Sequence, residues 1–259
     1  MERFIHMSCL FVLGAVMGSF LNVCIHRIPR GMSIVTPRSH CPKCLAKIRA
    51  VDNIPVLSYI ILRGRCRVCH ERISLRYIAV ELLLGVLFVL GGIVFEPGWR
   101  LFFLLAFISL VLSSIMTDLE LRIIPDRFSL TGLGLGVIFA LFLDGNWVKG
   151  IGGAIFGGGS LFLVGWAYKR FRGIDGMGGG DIKMAAMIGA FLGMGGAFYS
   201  IFFASLAGSL YGIASIVLKK GTMKTELPFG VFLGISSVAV LFCQELLLIR
   251  AIPALWGWG

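Results

Sequence analysis

Repeated apolar runs, each close to the length of a membrane-spanning helix, restrict the fold of this chain more than any other feature. Hydrophobic residues make up 58% of its 259 residues and charged residues only 14%. This is too little charge to hydrate the surface of a soluble domain of that length. A helix needs roughly 20 apolar residues to cross a bilayer. Runs near this length lie at residues 4–25, 78–95, 101–117, 128–143, 151–168, 182–194, 197–218 and 229–249. We therefore predict an all-α polytopic membrane protein with about eight transmembrane helices.

The polar segment after the first run divides the chain into three predicted domains. Residues 1–25 form a first transmembrane helix, residues 26–77 a polar and basic loop, and residues 78–259 a seven-helix membrane catalytic domain. A signal peptide carries its positive charge before the apolar core, whereas here the arginines follow it. We therefore expect the first helix to be retained.

The basic residues are distributed unequally between the two sides that eight crossings create. Of the 24 Lys and Arg residues, 20 lie on one side, in the segments 26–77, 118–127, 169–183 and 219–227. Because basic loops stay in the cytoplasm, we expect loop 26–77 to be cytoplasmic and both termini to lie on the other side. Orientation and contact with anionic lipid account for the net charge of +11, so we predict no nucleic-acid partner.

Two Cys-x-x-Cys pairs in the loop, separated by 21 residues, indicate a metal site. Each pair presents two thiolates to one tetrahedral ion. We predict a structural Zn(II) ion bound by Cys41, Cys44, Cys66 and Cys69. The alternative is a thioredoxin-like redox pair, which needs a strand–helix context and usually a single Cys-x-x-Cys. His40 and His70 lie beside cysteines, but four thiolates complete the site without them.

Asp118 and Asp181 differ from the other acidic residues because each lies at the end of an apolar run. In the predicted topology both carboxylates lie at the cytoplasmic end of a helix, at the same depth. Carboxylates at membrane depth are costly and are functional candidates. Two carboxylates that come together share a proton, and the pair can then activate water as an aspartic protease does. Spacing alone leaves open the alternative that both are simple helix-end charges.

Two further acidic residues lie beside apolar runs. Asp126 follows Pro125 and precedes the fourth run, so we predict that it caps a helix. Glu81 lies one turn inside the second run. Its candidate partners are Arg76, Lys183 or the amine of a substrate.

The order of the motifs along the chain resembles that of type IV prepilin peptidases. In the N-terminal half the matching segments are Gly18–Val23, His26–Pro29, Cys41–Cys44, Asn53–Pro55, Arg63–Cys66, Ser74–Tyr77 and Glu81. In the C-terminal half they are Asp118, Ile124–Asp126 and Gly176–Lys183. The resemblance covers nearly the whole chain. Gly179 is a departure, since the family often has a bulkier residue there; we expect this to loosen the site but to leave the carboxylate unchanged.

The resemblance implies an enzyme of the bacterial inner membrane with both termini in the periplasm. Such enzymes cut the basic leader from prepilins and type II secretion pseudopilins at a Gly-Phe junction on the cytoplasmic face. Asp118 and Asp181 would supply the aspartic dyad. Many members then methylate the new N-terminal amine with S-adenosylmethionine, and the four cysteines fit this bifunctional branch. No motif in the sequence identifies the residues that bind the methyl donor.

Two functions of other classes remain open on the residues alone. In a proton-coupled transporter the two aspartates would be a proton relay, although the cysteine loop has no role there and inverted repeats are not evident. In a non-catalytic assembly protein the loop would only bind partners. Cleavage of a leader-bearing pilin distinguishes the three.

Overall fold

The computed structural model describes residues 1–143, 145–174, 176–218 and 227–246, and these residues are mainly helical. Eight α-helices follow one another in the described part of the chain: α1 (Glu2–Arg27), α2 (Leu57–Ile61), α3 (Leu75–Val94), α4 (Trp99–Leu121), α5 (Asp126–Phe142), α6 (Trp147–Arg172), α7 (Gly179–Val217) and α8 (Phe229–Glu245). Every predicted apolar run contributes to one of the long helices. The predicted all-α class is therefore confirmed for these residues.

The helices confirm the all-α class, but the number of membrane spans is not simply the number of helices. By length and composition, five of the described helices can cross a membrane: α1, α3, α4, α6 and α7. Helix α7 covers the sixth and seventh predicted runs and is interrupted by a kink at Gly193, whose φ of 73° is not helical. Helices α5 and α8 have 17 residues each. The predicted count of eight is thus not confirmed, and residues 247–249 of the last run lie outside the described part.

Two compact units divide the chain, Met1–Glu96 and Pro97–Gly259. This boundary lies after α3, whereas the sequence suggested one after residue 77. Helix α3 belongs to the first unit because it packs along α1. A Cβ added to Gly14 would lie 2.7 Å from the Leu84 carbonyl oxygen, and one added to Gly18 would lie 2.8 Å from the Cα of Glu81. The glycines thus allow the two backbones to approach closely, as is usual for helices in lipid.

The loop of the first unit has almost no apolar core. Only Cys41 and Gly64 are buried between residues 28 and 79. Two isolated antiparallel bridges, His40 with Lys47 and Arg65 with Arg72, close the two Cys-x-x-Cys turns. The loop is therefore built around its cysteines.

The second unit has a tightly packed apolar core. Phe107 of α4, Met184 of α7 and Leu233 of α8 are completely buried. Helices α6 and α7 approach so closely that a Cβ on Gly153 would collide with the Gly189 carbonyl. Close packing of this kind fixes the ends of α4, α7 and α8, where the candidate site lies.

Candidate active site

Asp118 lies in the last turn of α4 and is held by the first turn of α8. Its side chain is only 6% exposed. The backbone N–H of Val231 donates to its Oδ2 at 3.1 Å, and the N–H of Gly230 also hydrogen-bonds to this carboxylate. The first N–H groups of a helix have no partner within the helix. The Asp118 side chain therefore caps α8 from another helix.

Asp181 lies in the first turn of α7 and is half-buried. Its backbone N–H donates to the Gly178 carbonyl at 3.1 Å. The Asp181 carboxylate interacts electrostatically with that of Asp118. Helix ends that are 63 residues apart along the chain are thus brought to one place.

Ile124, in the segment between α4 and α5, connects the two sides of this site. A Cβ added to Gly180 would lie 2.9 Å from the Ile124 Cβ, and one added to Gly230 would lie 2.6 Å from the Ile124 Cδ1. The Gly230 Cβ would also lie 2.9 Å from the Asp118 Oδ2. The two glycines therefore let α7 and α8 pack against one isoleucine, with a carboxylate on each side.

The glycines that precede Asp181 differ in their surroundings. Gly178 and Gly179 are exposed, and a Cβ on Gly179 would meet no atom within 4 Å. A methyl group at this position would therefore meet no neighbour. A Cβ on Gly178 would lie 3.1 Å from the Asp181 Oδ2, so this glycine leaves room beside the carboxylate for a peptide backbone.

Asp126 does not cap α5 with its side chain, so that prediction was wrong. The N-cap residue is Pro125, and Asp126 is the first residue of the helix. Its Oδ1 instead accepts from the Lys183 Nζ at 2.6 Å. This ion pair, between partly exposed side chains, joins the segment after Asp118 to the segment after Asp181.

Gly230 and Val231 are site residues that the sequence did not reveal. They act through backbone N–H groups, and their side chains carry no chemical signature. The signal that was available is Pro228 just before an apolar run, followed by a glycine. That pattern marks a helix start with exposed donors, but it does not say which acceptor is bound.

The four predicted cysteine ligands converge in the first unit. Their sulfur atoms all lie within 4.8 Å of one another and could hold one metal ion; the Sγ atoms of Cys41 and Cys69 are 3.8 Å apart. Backbone N–H groups of Cys44 and Lys43 hydrogen-bond to the Cys41 sulfur and lower its pKa to about 6. Those of Cys69 and Val68 lower the pKa of Cys66 in the same way. Such hydrogen bonds stabilise the thiolates that bind metals.

The two Cys-x-x-Cys turns have the same backbone hydrogen bonds. The Cys41 N–H donates to the Ala46 carbonyl at 3.0 Å, and the Cys66 N–H donates to the Glu71 carbonyl at 2.8 Å. His70 occupies a left-handed turn position with φ 55°. Among the described residues, the group that could hold a metal consists of the four cysteines.

Glu81, whose role the sequence left open, is 8% exposed in α3. Its Oε2 accepts from the backbone N–H of Val56 at 2.8 Å. Val56 has a φ of 62° and directly precedes α2. The Glu81 side chain therefore contacts the loop through the backbone of Val56.

Two family models match successive parts of this chain. Residues 12–95 match the bacterial peptidase A24 N-terminal domain, and residues 104–213 match the type IV leader peptidase family. The first match ends one residue before the boundary between the compact units. No solved structure matches the chain.

Curated proteins named prepilin leader peptidase/N-methyltransferase are similar to nearly the whole chain. The one from Aeromonas salmonicida strain A449 is 34% identical over 261 residues, covering 90% of this chain and 89% of the relative. The one from Neisseria gonorrhoeae is 38% identical over 237 residues, with 80% and 82% covered. The one from Bacillus subtilis strain 168 is 36% identical over 234 residues, with 90% and 92% covered. On these two independent grounds, the chain belongs to the type IV leader peptidase family.

Proposed function

We propose that this protein cleaves the basic leader from prepilins and pseudopilins and methylates the new N-terminal amine. The observation that carries the peptidase assignment is the meeting of Asp118 and Asp181 at the ends of two helices. Family membership and the names of the relatives support the same assignment. Incubation of the purified protein with a leader-bearing prepilin tests it: loss of the leader is expected, and transport or binding without cleavage would contradict it.

The environments of the two carboxylates support different proposed roles in hydrolysis. The positive end of the α8 dipole and two N–H donors favour negative charge on Asp118. In the proposed reaction Asp118 takes a proton from water, whose oxygen attacks the scissile carbonyl carbon. Asp181 donates its proton as the carbon–nitrogen bond breaks and the new amine leaves. In a carboxylate pair that shares one proton, one member acts as the base and the other as the acid in this way.

The cysteine cluster is proposed to hold a structural zinc ion. Four thiolates at about 2.3 Å from a tetrahedral ion place the sulfurs about 3.8 Å apart, which matches the 3.8 Å between Cys41 and Cys69. Zinc would hold the two turns together in a loop that lacks an apolar core. It would take no part in the cleavage.

A cavity in the first unit fits the methyl donor, which we propose to be S-adenosylmethionine. It measures about 620 Å³ and is formed by α1 and loop residues, within the usual range for small-molecule sites. Arg38 can pair with a carboxylate, Ser19 and Asn53 can bind hydroxyl or amide groups, and Phe20 offers an apolar face. The donor would supply an electrophilic methyl group.

The proposed location is the inner membrane, with the dyad opening to the cytoplasm and both termini in the periplasm. The apolar helices and the charge asymmetry support this orientation. A mature pilin segment is itself an apolar helix, so it would enter sideways from lipid. Its basic leader would remain in the cytoplasm, beside anionic headgroups.

Cysteine labelling tests this orientation. In a variant without Cys9, Cys24 and Cys243, a cysteine introduced at Leu119 or Gly179 should react with a membrane-impermeant maleimide only in inverted vesicles, with peptide mass spectrometry separating its label from any on the four loop cysteines. Both positions are exposed in the structure, so the reagent can reach them. Reaction in intact cells whose outer membrane is permeable to the reagent would overturn the topology and the proposed depth of cleavage.

Substitution of the packed glycines tests the geometry of the site. Gly230→Ala or Gly180→Ala should lower leader cleavage by about a hundredfold, because the new methyl group displaces Ile124 or the Asp118 carboxylate. Gly179→Ala is the matched control, since its methyl group meets no neighbour, and it should cleave at the normal rate. Equal rates for all three variants would show that the site is not packed in this way.

A further inference from the structure

Asn22 and Glu81 lie one turn apart across the interface of α1 and α3. Gly14 contacts Gly85, and Gly18 contacts the backbone of Glu81. The Nδ2 of Asn22 donates to the Tyr77 carbonyl at 3.0 Å. Along these contacts the residue numbers rise in α1 and fall in α3, so the two helices are antiparallel. Side chains on a helix lean toward its N-terminus, and the side chains of Asn22 and Glu81 therefore lean toward each other.

Both side chains are buried, and Asn22 keeps an unused acceptor atom. Asn22 is 2% exposed, and its Oδ1 has no hydrogen-bond partner among the described residues. Glu81 is 8% exposed, and its Oε2 accepts from the backbone N–H of Val56. A buried acceptor without a donor costs about 1–3 kcal/mol, and more when it is charged. The unpaired Asn22 oxygen and the buried Glu81 carboxylate, one turn apart, favour a ligand that carries N–H donors and a positive charge.

We propose that Asn22 and Glu81 bind the N-terminal ammonium group of the cleaved substrate and hold it for methylation. The inference rests on the methyltransferase part of the proposed function and names its amine site. An ammonium group has three N–H donors, which can serve the unpaired Asn22 Oδ1 and the Glu81 carboxylate. The other carboxylates of the loop are already paired, Asp52 with Arg67 and Glu71 with Lys43.

The cavity of the first unit reaches the residues beside this pair. Its wall includes Ser19, one position after the glycine that contacts Glu81, and Asn53 to Pro55, which directly precede Val56. The segment that forms part of the cavity wall therefore continues directly into the residue whose N–H donates to Glu81. The apolar residues Val16 and Phe20 continue the wall along α1, where the apolar part of the substrate can pack.

The proposed step balances in protons and electrons. The Glu81 carboxylate takes one proton from the ammonium, which leaves a neutral amine with a lone pair. That lone pair forms the bond to the methyl carbon of a sulfonium donor as the carbon–sulfur bond breaks, and the electrons of that bond stay on sulfur. Glu81 then loses its proton to water.

Binding of two peptides to the purified, zinc-loaded full chain tests the proposal. Both have the N-terminal sequence of a mature pilin, one with a free amine and one acetylated. The free amine should bind about tenfold more tightly, the effect of one charge-assisted contact, and Glu81→Gln should remove this preference. Methylation by Glu81→Gln, followed by mass spectrometry, should fall about a hundredfold, as on loss of a general base.

Glu96→Gln is the matched control, because it makes the same change at an exposed position just beyond the other end of α3. It should keep both the preference and the methylation. If Glu81→Gln does not fold, Asn22→Ser, which withdraws the unpaired oxygen, should weaken the preference instead. Equal binding of the two peptides to the unaltered chain, or full methylation by Glu81→Gln, would overturn the amine site. Absence of methylation in the unaltered chain would instead count against the proposed function.

Discussion

Replacing Asp118 or Asp181 by asparagine is expected to lower leader cleavage by on the order of a thousandfold or more. The two carboxylates share one proton and act as a unit, so loss of either removes most of the catalytic effect. An amide retains the shape of the side chain, and in Asp118→Asn the α8 N–H groups can still donate to the amide oxygen. The variants should therefore insert and fold normally, which their thermal unfolding and zinc content would verify.

Asp126→Asn is the matched control for the dyad variants. Asp126 is near the site, but it pairs with Lys183 on the exposed side, and exposed ion pairs contribute only about 1 kcal/mol or less. Its variant should retain most of the cleavage activity. Substantial cleavage by either dyad variant would remove that aspartate from the catalytic pair.

Loss of the metal is expected to unfold the loop of the first unit. Structural zinc contributes an apparent free energy of about 10–16 kcal/mol to the folding of small domains, and this loop buries only Cys41 and Gly64 between residues 28 and 79. Protein purified without chelators should contain about one zinc per chain. Cys41→Ser together with Cys66→Ser should abolish metal binding and make the loop sensitive to protease.

Two cysteines outside the cluster provide controls for the measurements of zinc content and protease sensitivity. Cys9→Ser and Cys243→Ser change cysteines outside the cluster, and both should keep the metal. The second unit should remain folded when zinc is removed, because its core does not depend on the cysteines. A folded protein without metal, or a disulfide between the two Cys-x-x-Cys turns, would contradict the zinc assignment.

Features that depend on composition along the chain were predictable from sequence. The run 101–117 became α4, and the run 128–143 became α5, with ends that differ by a few residues. The positions of Asp118 and Asp181 followed from the same reasoning, because a charge at the end of an apolar run lies at a helix end. The spacing of the cysteines likewise predicted their convergence.

Features that depend on contacts between distant segments were not predictable. Asp126 has the residue type and position of a cap, but Lys183 lies within reach only once α5 and α7 are packed. The two apolar runs within α7 were predicted as separate helices, and a non-helical residue, Gly193, does interrupt α7, although the exact position of this kink was not predicted. The hydrogen bonds of Asp118 come from backbone atoms 113 positions away, which no side-chain pattern encodes.

The mass of a pilin after incubation with the purified protein tests the central claim most directly. The reaction contains a leader-bearing prepilin, a sulfonium methyl donor and the zinc-loaded full chain in a lipid bilayer. We predict a product that has lost its leader and gained one methyl group at the new N-terminus, and no product with the Asp118→Asn, Asp181→Asn double variant. Recovery of the intact prepilin from the folded, zinc-containing protein, or equal cleavage by the double variant, would contradict the account.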